Sequence, residues 1–160
     1  MLKLNRTTEY GLIALTYIRG KKPGELTSAR EIADHFDLPF EILAKTLQRL
    51  KEQGVISSTY GTRGGYILSR DLSKLNLAEF LNIMEGPVSV VACQNPEHEE
   101  KDCGYRTGCN IKRMMSTLNS RFYEFLHRIS VEEITSTPIN AASAVSASGL
   151  RHFDSQGGEP

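Results

Sequence analysis

Ser28-Ala29-Arg30-Glu31-Ile32-Ala33-Asp34-His35-Phe36-Asp37-Leu38-Pro39-Phe40-Glu41-Ile42-Leu43-Ala44-Lys45-Thr46-Leu47-Gln48-Arg49-Leu50-Lys51-Glu52-Gln53-Gly54 is the stretch that decides the fold. Ser28 followed by Glu31 predicts a capping box, each side chain reaching the other's free backbone N–H. Ile32, Ala33 and Phe36 then give a short helix one apolar face. Asp37-Leu38-Pro39 reads as a turn, because Pro39 suits the first turn of a new helix. In that helix Ile42, Leu43, Leu47 and Leu50 recur at helical spacing, and Gly54 stops it after Gln53. Two helices joined by so short a turn predict a helix-turn-helix.

Outward from this unit, Val55-Ile56-Ser57-Ser58 and Tyr66-Ile67-Leu68-Ser69 predict two short strands. The glycines of Thr59-Tyr60-Gly61-Thr62-Arg63-Gly64-Gly65 permit the positive φ angles of a tight hairpin between them, a wing. Upstream, residues 6–20 predict a first helix that Thr7 or Thr8 can cap and Gly20 ends. Downstream, Asn76-Leu77-Ala78-Glu79 caps another helix that finishes near Gly86-Pro87.

A long helix is expected from about Cys109 to Ile129. Ile111, Met115, Leu118, Phe122, Phe125 and Ile129 form a heptad-like stripe along it, the pattern of a seam between helices. Its natural partner is the same helix of a second subunit. The fold class expected is therefore mainly α with a small β-hairpin wing, a winged helix-turn-helix plus a long C-terminal dimerisation helix. The expected division is a reading domain over 1–86, a cysteine-bearing loop over 87–109, the dimerisation helix over 110–135 and a tail over 136–160. The tail is rich in Ser, Ala and Gly with few large apolar groups, which predicts disorder.

The 160 residues carry no net charge, but the average hides a split. Residues 1–75 hold 12 Lys/Arg against 8 Asp/Glu, and residues 76–160 hold 7 against 11. A phosphate backbone would favour the N-terminal half, where neutralising phosphates releases condensed counterions. No apolar run approaches the roughly 20 residues of a membrane span. The residues after Met1 lack the apolar core and cleavage site of a signal peptide, so the expected location is a bacterial cytoplasm, with no membrane partner.

Within a helix-turn-helix the second helix enters the major groove, led by its N-terminal residues. Those residues are Pro39, Phe40, Glu41, Ala44 and Lys45. Glu41 can accept from a cytosine amino group and Lys45 can reach guanine or phosphate. Ser28 and Arg30 are expected phosphate contacts, and Arg49 and Lys51, later on the second helix, are expected to meet the backbone or partner helices. On the wing, Tyr60, Thr62, Arg63 and Gly64 form the expected contact set, with Arg63 suited to a minor groove or a phosphate. The reading expected is of double-stranded DNA.

Cys93, Cys103 and Cys109 fall within 17 residues. Three clustered thiols in a reducing compartment argue for a soft metal centre over a disulfide framework. A hydrolytic enzyme is not expected. There is no phosphate loop after a strand, no nucleophile motif and no paired carboxylates at catalytic spacing.

Taken in order, Glu9-Tyr10-Gly11-Leu12, Glu31-Ile32-Ala33, Leu47-Gln48-Arg49-Leu50-Lys51 and Gly61-Thr62-Arg63-Gly64-Gly65-Tyr66, followed by the three-cysteine loop, resemble the bacterial regulators that include IscR, NsrR and RirA. The resemblance covers about residues 1–135. It implies a homodimeric winged-helix transcription factor that binds a pseudo-palindromic operator, with an iron–sulfur cluster sensing iron, redox state or nitric oxide. Carried over, Cys93, Cys103 and Cys109 match the cluster cysteines. The cluster type, 2Fe–2S or 4Fe–4S, stays open.

Three departures from the family pattern matter. Nine residues separate Cys93 from Cys103, where related sensors commonly have fewer. Tyr60 stands where the wing often carries arginine. The histidine that follows the last cysteine in IscR is absent, since Asn110, Ile111 and Lys112 follow Cys109. Clusters usually take four thiolates, so the fourth position falls to Glu9 of a partner subunit, to His98 or to solvent. Two rivals remain at this stage: a thiol- or zinc-dependent regulator of the same fold, and an iron–sulfur electron carrier, which would leave the winged helix unexplained.

Overall fold

The computed structural model describes residues 4–61, 64–91 and 108–136. Thr62, Arg63, Cys93, Cys103, His98 and the tail from residue 137 lie outside the described residues. Helix α1 (Arg6–Arg19) is followed by α2 (Ala29–Phe36), α3 (Phe40–Glu52), strands β1 (Ile56–Thr59) and β2 (Gly65–Leu68), α4 (Leu77–Glu85), α5 (Lys112–Arg128) and α6 (Val131–Ser136). A 3-10 turn at Leu72–Lys74 leads into α4. The class is as expected, mostly helical with a two-stranded antiparallel hairpin.

The helix-turn-helix forms where the capping signals place it. Ser28 Oγ accepts from the Glu31 N–H over 3.0 Å, one half of the anticipated box. The other half is replaced. The Glu31 carboxylate instead accepts from Lys21 Nζ and from the Tyr17 hydroxyl, since a charged donor outcompetes a backbone amide. Asp37 ends α2 in the left-handed region at φ 52°, a conformation in which Asp is tolerated better than most residues. Leu43, Leu47 and Leu50 of α3 are fully buried against Ala14, Leu15 and Ile18 of α1 and Ile32 of α2.

Neither Thr7 nor Thr8 caps α1. Asn5 is the N-cap residue, without a side-chain cap, and its own N–H is met from across the fold. Glu85, at the end of α4, accepts from the Asn5 N–H at 2.9 Å and from the Thr8 hydroxyl. Arg49 returns the favour to α4 by donating to the Met84 carbonyl, so α3 is fastened to the same helix end. Asn76 caps α4 as expected, its Oδ1 accepting from the Glu79 N–H at 2.9 Å.

The hairpin pairs Ile56 with Leu68, Ser57 with Ile67, Ser58 with Tyr66 and Thr59 with Gly65. Its two end glycines serve a purpose other than positive φ, which is confined to Gly61 at 120°. A Cβ on Gly65 would lie 2.9 Å from the Thr27 carbonyl oxygen, and one on Gly64 would lie 2.4 Å from the Thr59 oxygen. Only glycine admits that approach. It lets Thr27 exchange both backbone hydrogen bonds with Tyr66, at 3.1 and 2.8 Å, so the wing is sewn to the residue preceding Ser28.

Beyond α4 the chain runs along α5, where the Val90 N–H donates to Asn119 Oδ1 at 2.8 Å. Helix α5 stops at Arg128. Ile129 and Ser130 then leave the helix and turn back, with Leu77 N–H donating to the Ile129 oxygen and Val131 N–H to the Leu75 oxygen, both at 2.8 Å. Val131 of α6 is fully buried beside the 3-10 turn. The stripe of six apolar residues is split by this arrangement. Phe122 packs on the core beside Leu126, a buried residue outside the stripe, while Ile111, Leu118 and Phe125 face outward, 45%, 46% and 59% exposed.

Candidate nucleic-acid interface and cysteine loop

Between α3 and the wing lies an open cleft of about 640 Å³. Glu41, Ala44 and Lys45 line it from α3, as the sequence anticipates, and Gln48 and Lys51 continue the same face. Ser28 and Ala29 close one end, and Thr59, Tyr60, Gly61 and Gly64 form the wing side. Gln48 was not among the expected contacts, and Lys51 was expected at the backbone or at a partner helix. Their signal is the helical repeat itself, since each follows a cleft residue by seven positions, Glu41 and Ala44 respectively.

The remaining expected contacts sit around this cleft. Arg30 is exposed, its guanidinium 4.3 Å above the Phe40 ring. Phe40 itself is half-buried against the core and Pro39 is the exposed N-cap residue of α3. Arg49 is committed to the Met84 carbonyl on the opposite face. Gln48 Nε2 donates to Glu52 Oε1 at 3.0 Å, along the helix surface.

At the wing end Lys51 Nζ donates to the Tyr60 hydroxyl oxygen at 3.0 Å. That bond raises the Lys51 ammonium above its ordinary value and holds the Tyr60 phenol below its ordinary 10. On the far side of the head, the hydrogen bond from Lys21 keeps Glu31 below the usual carboxylate value of 4.5.

Among the cysteines only Cys109 is described, half-buried and free, in a shallow recess with Asn110, Lys112, Arg113, Ser116 and Thr117. No group of three His, Cys, Asp or Glu that could hold a metal ion gathers among the described residues. The local electrostatics suit thiolates nonetheless. The first turn of α5 carries Lys112 and Arg113, no acid and no side-chain cap. Cations there oppose the helix dipole, and an anionic thiolate centre beside Cys109 would offset both. Glu9 sits in the first turn of α1, partly exposed, paired with Arg6 at 3.1 Å.

A helix-turn-helix with a wing sewn to its first helix, and a polar cleft along its second, defines a winged-helix transcriptional regulator. Residues 4–137 match the model of the Rrf2 family, described as an iron-dependent transcriptional regulator. The chain belongs to the Rrf2 family. It is 25% identical over 133 residues to the HTH-type transcriptional regulator NsrR of Bacillus licheniformis, covering 83% of this chain and 92% of that one. The HTH-type transcriptional repressor NsrR of Streptomyces coelicolor is 25% identical over 138 residues, covering 86% and 90%.

Among solved structures, CymR, the global cysteine regulator of B. subtilis, superposes with a TM-score of 0.64 at 23% identity, over 85% of this chain and 98% of that one. IscR of T. potens superposes with a TM-score of 0.62 at 20% identity, over 89% and 93%. These likenesses bear out the winged-helix fold. The described helices include none long and apolar enough to cross a membrane.

Proposed function

We propose that this chain is a homodimeric DNA-binding regulator whose affinity for a pseudo-palindromic operator depends on an iron–sulfur cluster held by Cys93, Cys103 and Cys109. The observation that carries the reading is the position of Cys109, which precedes the first turn of α5, a helix with an unpartnered apolar edge. A thiol anchored there ties the loop to the base of the seam. Glu9 of the partner subunit is the proposed fourth ligand. It would exchange Arg6 for the metal, a small sacrifice because exposed ion pairs contribute about 0–1 kcal/mol.

When bound, the cluster supplies thiolate-held iron that reacts with oxidants or nitric oxide. The chain's own residues do the rest. In each subunit α3 enters the major groove, with Glu41 accepting from a cytosine amino group, Lys45 reaching guanine or phosphate and Gln48 able to pair with adenine. Ser28, Arg30 and the wing residues Tyr60, Thr62, Arg63 and Gly64 hold the backbone. Paired α5 helices set two heads about one helical turn of DNA apart, roughly 34 Å. A rotation at Cys109 therefore changes the fit of both heads together.

Anaerobic reconstitution with iron and sulfide tests this. A coloured protein should result, with a visible absorption band that Cys109→Ser abolishes and Glu9→Ala shifts. Holo and apo protein should then differ at least tenfold in affinity for the promoter of the chain's own gene. Equal affinities would sink the switch, and a colourless protein carrying zinc would replace the cluster with the zinc-dependent alternative.

A further inference from the structure

Two side chains at the mouth of the cleft form a pair whose chemistry goes beyond the contacts assigned above. Lys51 closes the last turn of α3 and Tyr60 opens the wing. Tyr60 is 85% exposed, an unusual setting for a large ring, yet it is not loose. The Lys51 ammonium donates to its hydroxyl oxygen at 3.0 Å and stands 5.0 Å from the ring centroid. A lysine on an open surface samples many rotamers, and this one is confined in advance by hydroxyl and ring together.

The donors left over define what the pair can take. An ammonium has three N–H groups, and one is spent on Tyr60. The phenolic oxygen is the acceptor in that bond, so Lys51 does not use the phenol's own hydrogen. Both residues line the same cleft. Two donor groups, one of them a full positive charge, thus converge beside an open surface, the arrangement that suits an oxyanion.

We propose that Lys51 and Tyr60 form a clamp for one phosphate of the DNA backbone at the junction of recognition helix and wing. The clamp rests on the DNA-binding function proposed above. Within that backbone contact it gives the wing tyrosine a positioning task, with Lys51 as the cation it presents. Lys51 in turn makes the phenol more acidic, hence a better donor.

A second aromatic-held cation stands at the other end of α3, where Arg30 lies 4.3 Å over Phe40. Phe40 and Lys51 are 11 residues apart on one helix. That is about 16 Å of rise, enough to cross a major groove about 12 Å wide between its phosphate walls. Cations held at both ends of the helix fit a helix laid across that groove.

The test uses the full-length dimer and a 30-base-pair duplex of mixed sequence, with affinity followed by fluorescence anisotropy across a salt series. Lys51→Met should flatten the slope of log K against log salt by about 0.9 for each head bound, and Lys51→Arg should keep it. Tyr60→Phe should weaken binding several-fold. In the Lys51→Met background the same change should cost less than it does in wild type, because the hydroxyl has lost the cation it positions and keeps only its own hydrogen bond. Losses that multiply independently, or an unchanged slope in Lys51→Met, would overturn the clamp while leaving DNA binding standing. Wild-type protein that binds the duplex without salt dependence would overturn the DNA reading as well. Both side chains are on the surface, and an unchanged helical circular dichroism signal confirms that each variant is folded.

Discussion

Helices α3 and α5 are both amphipathic, and both are read from apolar spacing, yet the fold treats them differently. In α3 every large residue of the inner face is satisfied within the chain, with Leu43, Leu47 and Leu50 all at 0% exposure. In α5 only Leu126 is buried, and Ile111, Met114, Leu118 and Phe125 stay exposed along the outer edge. The positions 111, 114, 118 and 125 follow the a and d places of a heptad, the geometry of a helix–helix seam. The inner face of α3 is thus covered within the chain, whereas α5 has one apolar edge pressed on its own domain and a second left exposed. The proposed output and assembly surfaces lie on separate faces.

The largest effect should come from breaking the self-contained side of this contrast. Leu47→Ala removes a fully buried side chain at the junction of α1, α2 and α3. It should lower the unfolding free energy by about 2–5 kcal/mol, measured in urea at constant m. A loss below about 1 kcal/mol would mean that the head tolerates the cavity and is not the rigid platform described.

Next in size is the assembly side. Leu118→Glu places a charge on the exposed edge of α5 without touching the core. Sedimentation should find the dimer dissociation constant raised on the order of 100-fold, about 2.7 kcal/mol, while the head keeps its fold. An undiminished dimer would locate the subunit contact on another surface.

The smallest effect belongs to the back of the head, where Lys21 and Tyr17 hold the Glu31 carboxylate. Its folded value lies below the ordinary 4.5, so the stabilisation is present above that value and is lost as the pH falls through the lowered one. Glu31→Gln should therefore melt a degree or two lower than wild type at pH 7, and the two should converge as the pH falls through that lowered value. A gap that persists in acid would assign the difference to packing instead of charge.

How much of this was legible in the sequence differs along the chain. Ser28 and Asn76 announce their helices because a capping side chain acts on donors two or three residues away, a local matter. The hairpin was legible too, and Gly61 takes the positive φ expected of it, whereas Gly64 and Gly65 serve a close approach instead. Close approach of Gly65 to Thr27 depends on a segment nearly forty positions distant, which no local pattern reveals. The same holds for Glu85, which serves the start of α1 from 80 residues away.

The cleft was half legible. Glu41 and Lys45 follow from the rule that the leading turn of a recognition helix meets the bases. Gln48 and Lys51 share their face by the helical repeat, but only the wing's position makes that face one wall of a cleft. The six-residue stripe of α5 reads as one surface in sequence. Residues spaced four and three apart alternate across about 80° of helix, and only the place of the domain beside it decides which are covered.

Periodicity, capping and turn chemistry by themselves determined a winged helix-turn-helix followed by a long amphipathic helix, because those signals act over one or two turns. The tertiary structure decided which charges are spent inside the fold and which remain for a ligand. Arg49 and Glu31 are consumed by Met84, Lys21 and Tyr17, whereas Lys51 is held at the open cleft by Tyr60. A charged side chain looks the same in any sequence. Its use depends on which partner the folded backbone brings within hydrogen-bond reach.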